Sequence, residues 1–267
     1  MIAERTSTRW DQQETRRLVH AVFGSRQLAL LQPAQRAVSY RLAHAEYHYR
    51  EYRRIVKSHI DAKLHAGGDI WDITAPGTDE QAYDTARFYV ECEAHLYACV
   101  QAVHSVADNL AHAVYYVVGL NLGTDFKGRV SLENIETHLK VKAQTEPNLS
   151  AVASLLSGLK TSDAFLSLAN LVNQLKHHGG PTVCVSLPLV LGQSYEIQFG
   201  DFFRKDGHHG AAEVEKFLGD SHGVVNVAVV EVGIALNHWL NVNSLQKAKS
   251  PDEPTEAVAP SRNPRFT

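Results

Sequence analysis

The longest periodic stretch of the chain runs from about residue 79 to 122. Phe88, Cys92, Leu96, Cys99, Val103, Val106, Leu110, Val114 and Val117 fall there at steps of four and three. That is the seam of a helix packed nearly parallel or antiparallel to a partner. About 40 helical residues span about 60 Å, so the partners are long as well, or a second copy covers the overhang. Thr78 is placed to cap this helix. A shorter amphipathic pattern over 10–23 ends at Gly24, and Pro33 is suited to open a second long helix that stops near His65, before Gly67-Gly68. Apolar positions in that helix are sparse, and its tyrosines alternate with arginines, as on a partly exposed element.

Further helices are predicted from Ser131 to Lys142, from Asn148 to Leu159, and from a Ser162-Asp163 cap through Phe165, Leu168, Leu171, Val172 and Leu175. The character changes after Pro181. Thr182–Leu191 and Ser194–Phe199 are β-branched and partly alternating, joined by Gly192-Gln193, and read as a hairpin. A helical turn or two at Glu213–Leu218 and a helix over Asn226–Val242 follow. The fold class is mainly α: a long-helix up-down bundle with a small β-hairpin insertion at about 182–200. Residues 1–68 form a basic helical region packing on the bundle of 69–246, and the proline-rich tail 247–267 is expected to be disordered.

Composition changes this picture little. The 267 residues are 44% hydrophobic and 21% charged, ordinary for a globular protein large enough to bury a core. No run of about 18 uncharged apolar residues suggests a membrane span, and Met1–Thr6 lacks the apolar stretch of a signal peptide. Cys92 and Cys99 lie too far apart on one helix to pair, about 10 Å along its axis, and Cys184 is isolated; a reducing cytoplasm is the expected compartment. The net charge of −3 is unevenly divided: residues 1–65 hold 12 Lys and Arg against 6 Asp and Glu, so the remainder carries −9. Such a basic half is either a phosphate-facing surface or one half of a pair attracting the other.

The most informative segment for chemistry is Asn173-Gln-Leu-Lys-His-His-Gly-Gly180. It sets an amide, an ammonium and two imidazoles at the end of an apolar helix, where a bundle needs none of them. Lys and His are also what a helix C-terminus prefers, so a structural corner is the competing interpretation. The 15 histidines invite a metal, but adjacent ones point about 100° apart on a helix, and the Glu-x-x-His of di-metal bundles is absent. Neither a Gly-x-Ser-x-Gly elbow nor a glycine-rich phosphate loop occurs, and no cofactor is expected. Metal-free cleavage of RNA remains, in which a histidine moves protons and a nearby cation stabilises developing charge. His177 with Lys176, His178 and Asn173 supplies these types. Arg50, Arg53, Arg54 and His59 are the candidates for holding RNA backbone.

The order of elements resembles the HEPN superfamily of nucleotide-binding helical bundles. A long helix bearing Glu93-x-His-Leu-Tyr-Ala-Cys-Val-Gln-Ala-Val-His-Ser-Val-Ala-Asp108 precedes a capped helix ending Leu171-Val-Asn-Gln-Leu-Lys-His177, then the hairpin and a last helix. The likeness is closest to a bacterial branch with an Asn-x-x-Lys-His signature and covers about residues 80–243. It implies a homodimer whose composite site carries Arg, four to six residues, then His, with His177 as the catalytic imidazole. Val172 stands where that arginine is expected, and a lysine is no bidentate substitute. Looser matches occur at Arg41/His48, Arg53/His59, Arg54/His59 and Arg204/His209. Two functions are therefore expected. One is a HEPN-like protein acting on RNA or a nucleotide, a metal-independent endoribonuclease of a defence, toxin–antitoxin or stress system with a cognate antitoxin or defence partner. The alternative is a non-catalytic HEPN-like dimerisation or partner-binding protein.

Overall fold

The computed structural model describes residues 9–65, 77–186, 195–204 and 207–249. Helix α1, Gln12–Phe23, is capped by Asp11, whose carboxylate accepts from the Glu14 amide at 2.9 Å. Gly24, at φ +84°, ends it in the left-handed region and lets the chain turn at once into α2, Ser25–His65. Pro33 does not open α2 but lies inside it. Pro33 and Ala29, whose carbonyl loses its partner to the proline, are both exposed, so water can satisfy the freed oxygen and the helix continues.

Helix α3, Asp79–Val117, is capped by Thr78 as expected. It ends five residues earlier than its pattern suggests, and at 39 residues it is shorter than the 41 of α2. The two helices are antiparallel partners. Gln27 donates to the Tyr116 carbonyl near one end, His48 meets His95 midway, and His59 lies on Phe88 toward the other end. Leu31, Val38, Ala45 and Tyr52 of α2 are all buried, a heptad row hidden in the sequence by its mixture of sizes.

Helices α4 (Leu132–Lys142), α5 (Ser150–Thr161, after a 3-10 turn at Pro147–Leu149) and α6 (Asp163–His177) follow. Strands β1 (Val183–Ser186) and β2 (Glu196–Phe199) pair antiparallel with Val183 opposite Phe199. The expected Gly192-Gln193 turn lies outside the described residues. Three further strands were not foreseen. β3 (Phe202–Arg204) and β4 (Gly207–His209) form a second hairpin, and β5 (Ala212–Glu213) pairs with β2. Their Phe, Gly and His residues carry no β-branched signal.

Helix α7, Val214–Lys249, is one continuous element rather than two. Gly219 and Gly223 suggest a break, but Val214, Leu218, Ser221 and Val225 are buried at steps of four, three and four, and this packing overrides the poor propensity of glycine. Of the tail expected over 247–267, residues 247–249 belong to α7 and 250–267 lie outside the described residues. Among the described residues, α7 alone is long and apolar enough to cross a membrane, by length and composition. Here it packs against α1, α3, α5 and α6. Trp10 seats its ring on Gly233, where no Cβ would fit. Its indole donates to Thr15, and Thr15 in turn donates to Asn237 of α7 at 2.6 Å.

Glu136 of α4 is 2% exposed and takes ion pairs from Lys140 and from Lys160 of α5, the latter at 2.9 Å. Burial raises its pKa, but the two lysines outweigh this and bring it down to about 2. Cys92 and Cys99 are buried and free, and burial pushes each thiol up to about 12, which makes them inert packing groups.

Candidate functional site

Ser162 caps α6 and accepts from the Phe165 amide, while Phe165, Leu168, Leu171 and Val172 enter the core. Val172 is 2% exposed. The position aligned with the nuclease arginine thus faces inward, where an uncompensated guanidinium would be costly. Asn173 is half-buried; Lys176, His177 and His178 are exposed. The rings of His177 and His178 lie edge to face, 6.4 Å apart.

Other residues build the corner after α6. The His178 amide closes the helix onto Gln174, and Gly179 takes φ +81°. Gly180 has no room for a Cβ because the Tyr97 ring lies against it. Tyr97 donates its hydroxyl to the Pro181 carbonyl, and Glu93, one turn earlier on α3, accepts from the Val183 amide at 3.2 Å. Among the described residues, no side-chain hydrogen bond involves Asn173, Lys176, His177 or His178.

Two residues from other elements approach α6. His104 of α3 stacks on Phe165 with ring centroids 5.6 Å apart and planes 7° from parallel. Burial holds its pKa below the ordinary value; Asp108 pulls it up and the Lys176 charge pushes it further down. The His104 imidazole and the Lys176 ammonium thus disfavour one another's charge across α3 and α6. The Asp108 one turn on was the available sequence signal for His104. Arg204 of β3 donates to the Asn170 carbonyl at 3.5 Å. Asn170, Asn173 and His177 fall at i, i+3 and i+7 on one helical face, so the insertion brings a guanidinium to the face that bears His177.

The expected backbone-holding residues are on α2, and each arginine has a carboxylate neighbour. Arg50 meets Glu46 at 2.5 Å, Arg54 meets Glu51 at 2.9 Å, and Arg53 lies 3.8 Å from Glu215 of α7 and over the Tyr49 ring. Arg54 and His59 line an open groove of about 620 Å³ between α2 and α3, with Lys63, Arg87, Glu91 and His95 among its other walls. Arg50 and Arg53 lie outside it. The His59 ring is parallel to Phe88 at 4.1 Å. Burial and Lys63 hold its pKa down, with Asp84 acting against them. A larger cleft, about 730 Å³, lies at the far end of α3 beside Phe126 and His138 and holds none of the predicted residues.

Among the described residues no group of three or more His, Cys, Asp or Glu is placed to hold a metal. His48 and His95 meet as a pair, Nδ1 to Nδ1 at 3.0 Å. No family model, curated protein or solved structure matches the chain.

Proposed function

We propose that this chain is a HEPN-like helical protein that acts on RNA at the end of α6, as a metal-independent endoribonuclease. The observation that carries this is a division of labour at the corner. Gly179, Gly180, Tyr97 and Glu93 hold the turn, while the side chains of Lys176, His177 and His178 reach solvent and are available for other work. In the proposed reaction the RNA 2′-oxygen bonds to phosphorus as the 5′-oxygen leaves, giving a 2′,3′-cyclic phosphate. An imidazole takes the 2′-hydroxyl proton and an imidazole returns one to the leaving oxygen. His177 is the first candidate, with His178 beside it. Lys176 and Arg204 supply positive charge for the pentavalent phosphorus, and Asn173 orients the phosphate. An open face on one chain suits a homodimer, whose second copy would exclude water. A defence, toxin–antitoxin or stress role with a cognate partner fits such an activity.

The test is incubation of labelled total RNA and tRNA with the purified protein in EDTA, beside His177→Ala. Cleavage that survives EDTA and is lost in the variant supports the nuclease. RNA left intact by the wild type, with a working control nuclease, sinks it. One observation favours the second reading, a non-catalytic dimerisation or partner-binding protein: the position of the nuclease arginine is held by Val172, which is buried.

A further inference from the structure

We propose that the α2–α3 groove is a track for a short stretch of single-stranded RNA, with bases stacking on Tyr47 and Tyr83 and phosphates held by Arg54, Lys63 and Arg87. This rests on the RNA reading above and adds to it a binding surface separate from the α6 corner. The corner docks on α3 at Glu93, Tyr97 and His104; the groove uses Asp84, Phe88, Glu91 and His95, a different face of the same helix.

Just outside the groove's lining, a large exposed ring adjoins each end of its α3 wall. Tyr47 is 57% exposed and sits edge-on to His95, centroids 6.4 Å apart. Tyr83 is 71% exposed and lies one turn before Arg87. Sequence-tolerant binding of single strands needs such faces, because unpaired bases stack on aromatic rings while a cationic groove follows the backbone. From Tyr83 to His95 is twelve residues of helix, about 18 Å, enough for roughly five nucleotides at a stacked spacing of about 3.4 Å. Ile55 and Phe88 make an apolar floor, and Ser58 and His95 offer polar atoms to base edges.

The acidic wall residues do not close the track. Arg87 pairs with Glu91 at 2.8 Å and Arg54 with Glu51 at 2.9 Å, but these are exposed pairs one helical turn apart, which contribute little and yield to a phosphate. Asp84 and Glu91 lie on α3, so the backbone runs nearer Arg54 and Lys63 on α2. A duplex hides its base faces and gains nothing from the tyrosines.

The experiment is anisotropy titration of a labelled 12-nucleotide single-stranded RNA, its duplex form and the matching DNA. Proteins are the wild type, Tyr47→Ala/Tyr83→Ala, Tyr47→Phe/Tyr83→Phe and Lys63→Glu/Arg87→Glu, each checked for unchanged helical content. The wild type is expected to prefer the single strand over the duplex. The double alanine variant loses about tenfold or more in affinity, and the phenylalanine variant retains it. The charge variant binds more weakly, with a log affinity–log salt slope shallower by about 0.7 per lost phosphate contact. Groove variants that bind RNA like the wild type overturn the track and leave the RNA reading standing. A wild type that binds no RNA overturns both, and a duplex preference overturns the stacking role.

Discussion

Gly180→Ala probes the corner without touching any group assigned to chemistry. A methyl there falls inside van der Waals contact with Cζ and Oη of Tyr97 and within 2.6 Å of Cε2. Carbon atoms settle at about 3.5–4.0 Å, so the ring must retreat by about 1 Å or more. That retreat strains its stacking on Phe199, 6.4 Å away, and breaks the bond from its hydroxyl to Pro181. Overpacking of this kind costs about 1–3 kcal/mol and the lost hydrogen bond about 1 kcal/mol, so the substitution should destabilise by about 2–4 kcal/mol. The backbone is not the cause, since Gly179 rather than Gly180 has the positive φ. Urea denaturation of Gly180→Ala, Tyr97→Ala and the double variant forms a cycle. Once Tyr97 is truncated the methyl should be nearly free of cost, giving a coupling about as large as the single-variant cost, about 2–4 kcal/mol. A cost below about 0.5 kcal/mol, or one unchanged by removing Tyr97, refutes the steric account.

Two further expectations concern protons. Glu136 titrates near 2 in the folded chain against an ordinary 4.5, a depression worth about 3 kcal/mol. That stability is fully present above about pH 4.5 and lost as pH falls toward 2. Glu136→Gln should therefore be less stable than the wild type by about 3 kcal/mol at pH 7, with the gap narrowing on acidification in urea titrations. A gap constant from pH 7 to 3 would count against it. At the α2–α3 seam, one of His48 and His95 must donate and the other accept. Burial, the facing His95 and His44 hold the His48 pKa below its ordinary value, so stability should decline as pH falls below about 6.5. His95→Gln should flatten that decline between pH 7 and 5.5, and an identical slope in the variant would rule the pair out as its source.

What was legible in the chain was whatever depends on nearest neighbours. Thr78, Ser131 and Ser162 announced helix starts because a cap is a contact over three residues. The α3 seam was readable because every member is apolar. Pro33 misled because proline suits a helix start, yet the carbonyl it frees at Ala29 is exposed to water and the helix runs through it; α7 read as two helices, but burial of Val214, Leu218, Ser221 and Val225 keeps it continuous. At the candidate site, Asn173, Lys176 and His177 stood out by type. The approach of His104 and Arg204 could not be read, because it depends on how α3 and the inserted hairpin dock on α6. The carboxylate partners of the α2 arginines divide in the same way: Glu46 and Glu51 are visible at helical spacing, while Glu215 is 162 positions from Arg53.

The contact between α1 and α7 also sets a timetable for synthesis. Thr15 and Asn237 are 222 positions apart, so α1 leaves the ribosome long before its partner exists. At about 5–20 residues per second, Trp10 waits roughly ten to forty seconds for Gly233 of α7, on which its ring seats. The α2–α3 hairpin, whose halves are neighbours in sequence, can form during that interval. The first helix can pack on α2 as soon as that helix is made, but its α7-facing side, with Trp10, stays uncovered until α7 emerges, a natural target for a chaperone.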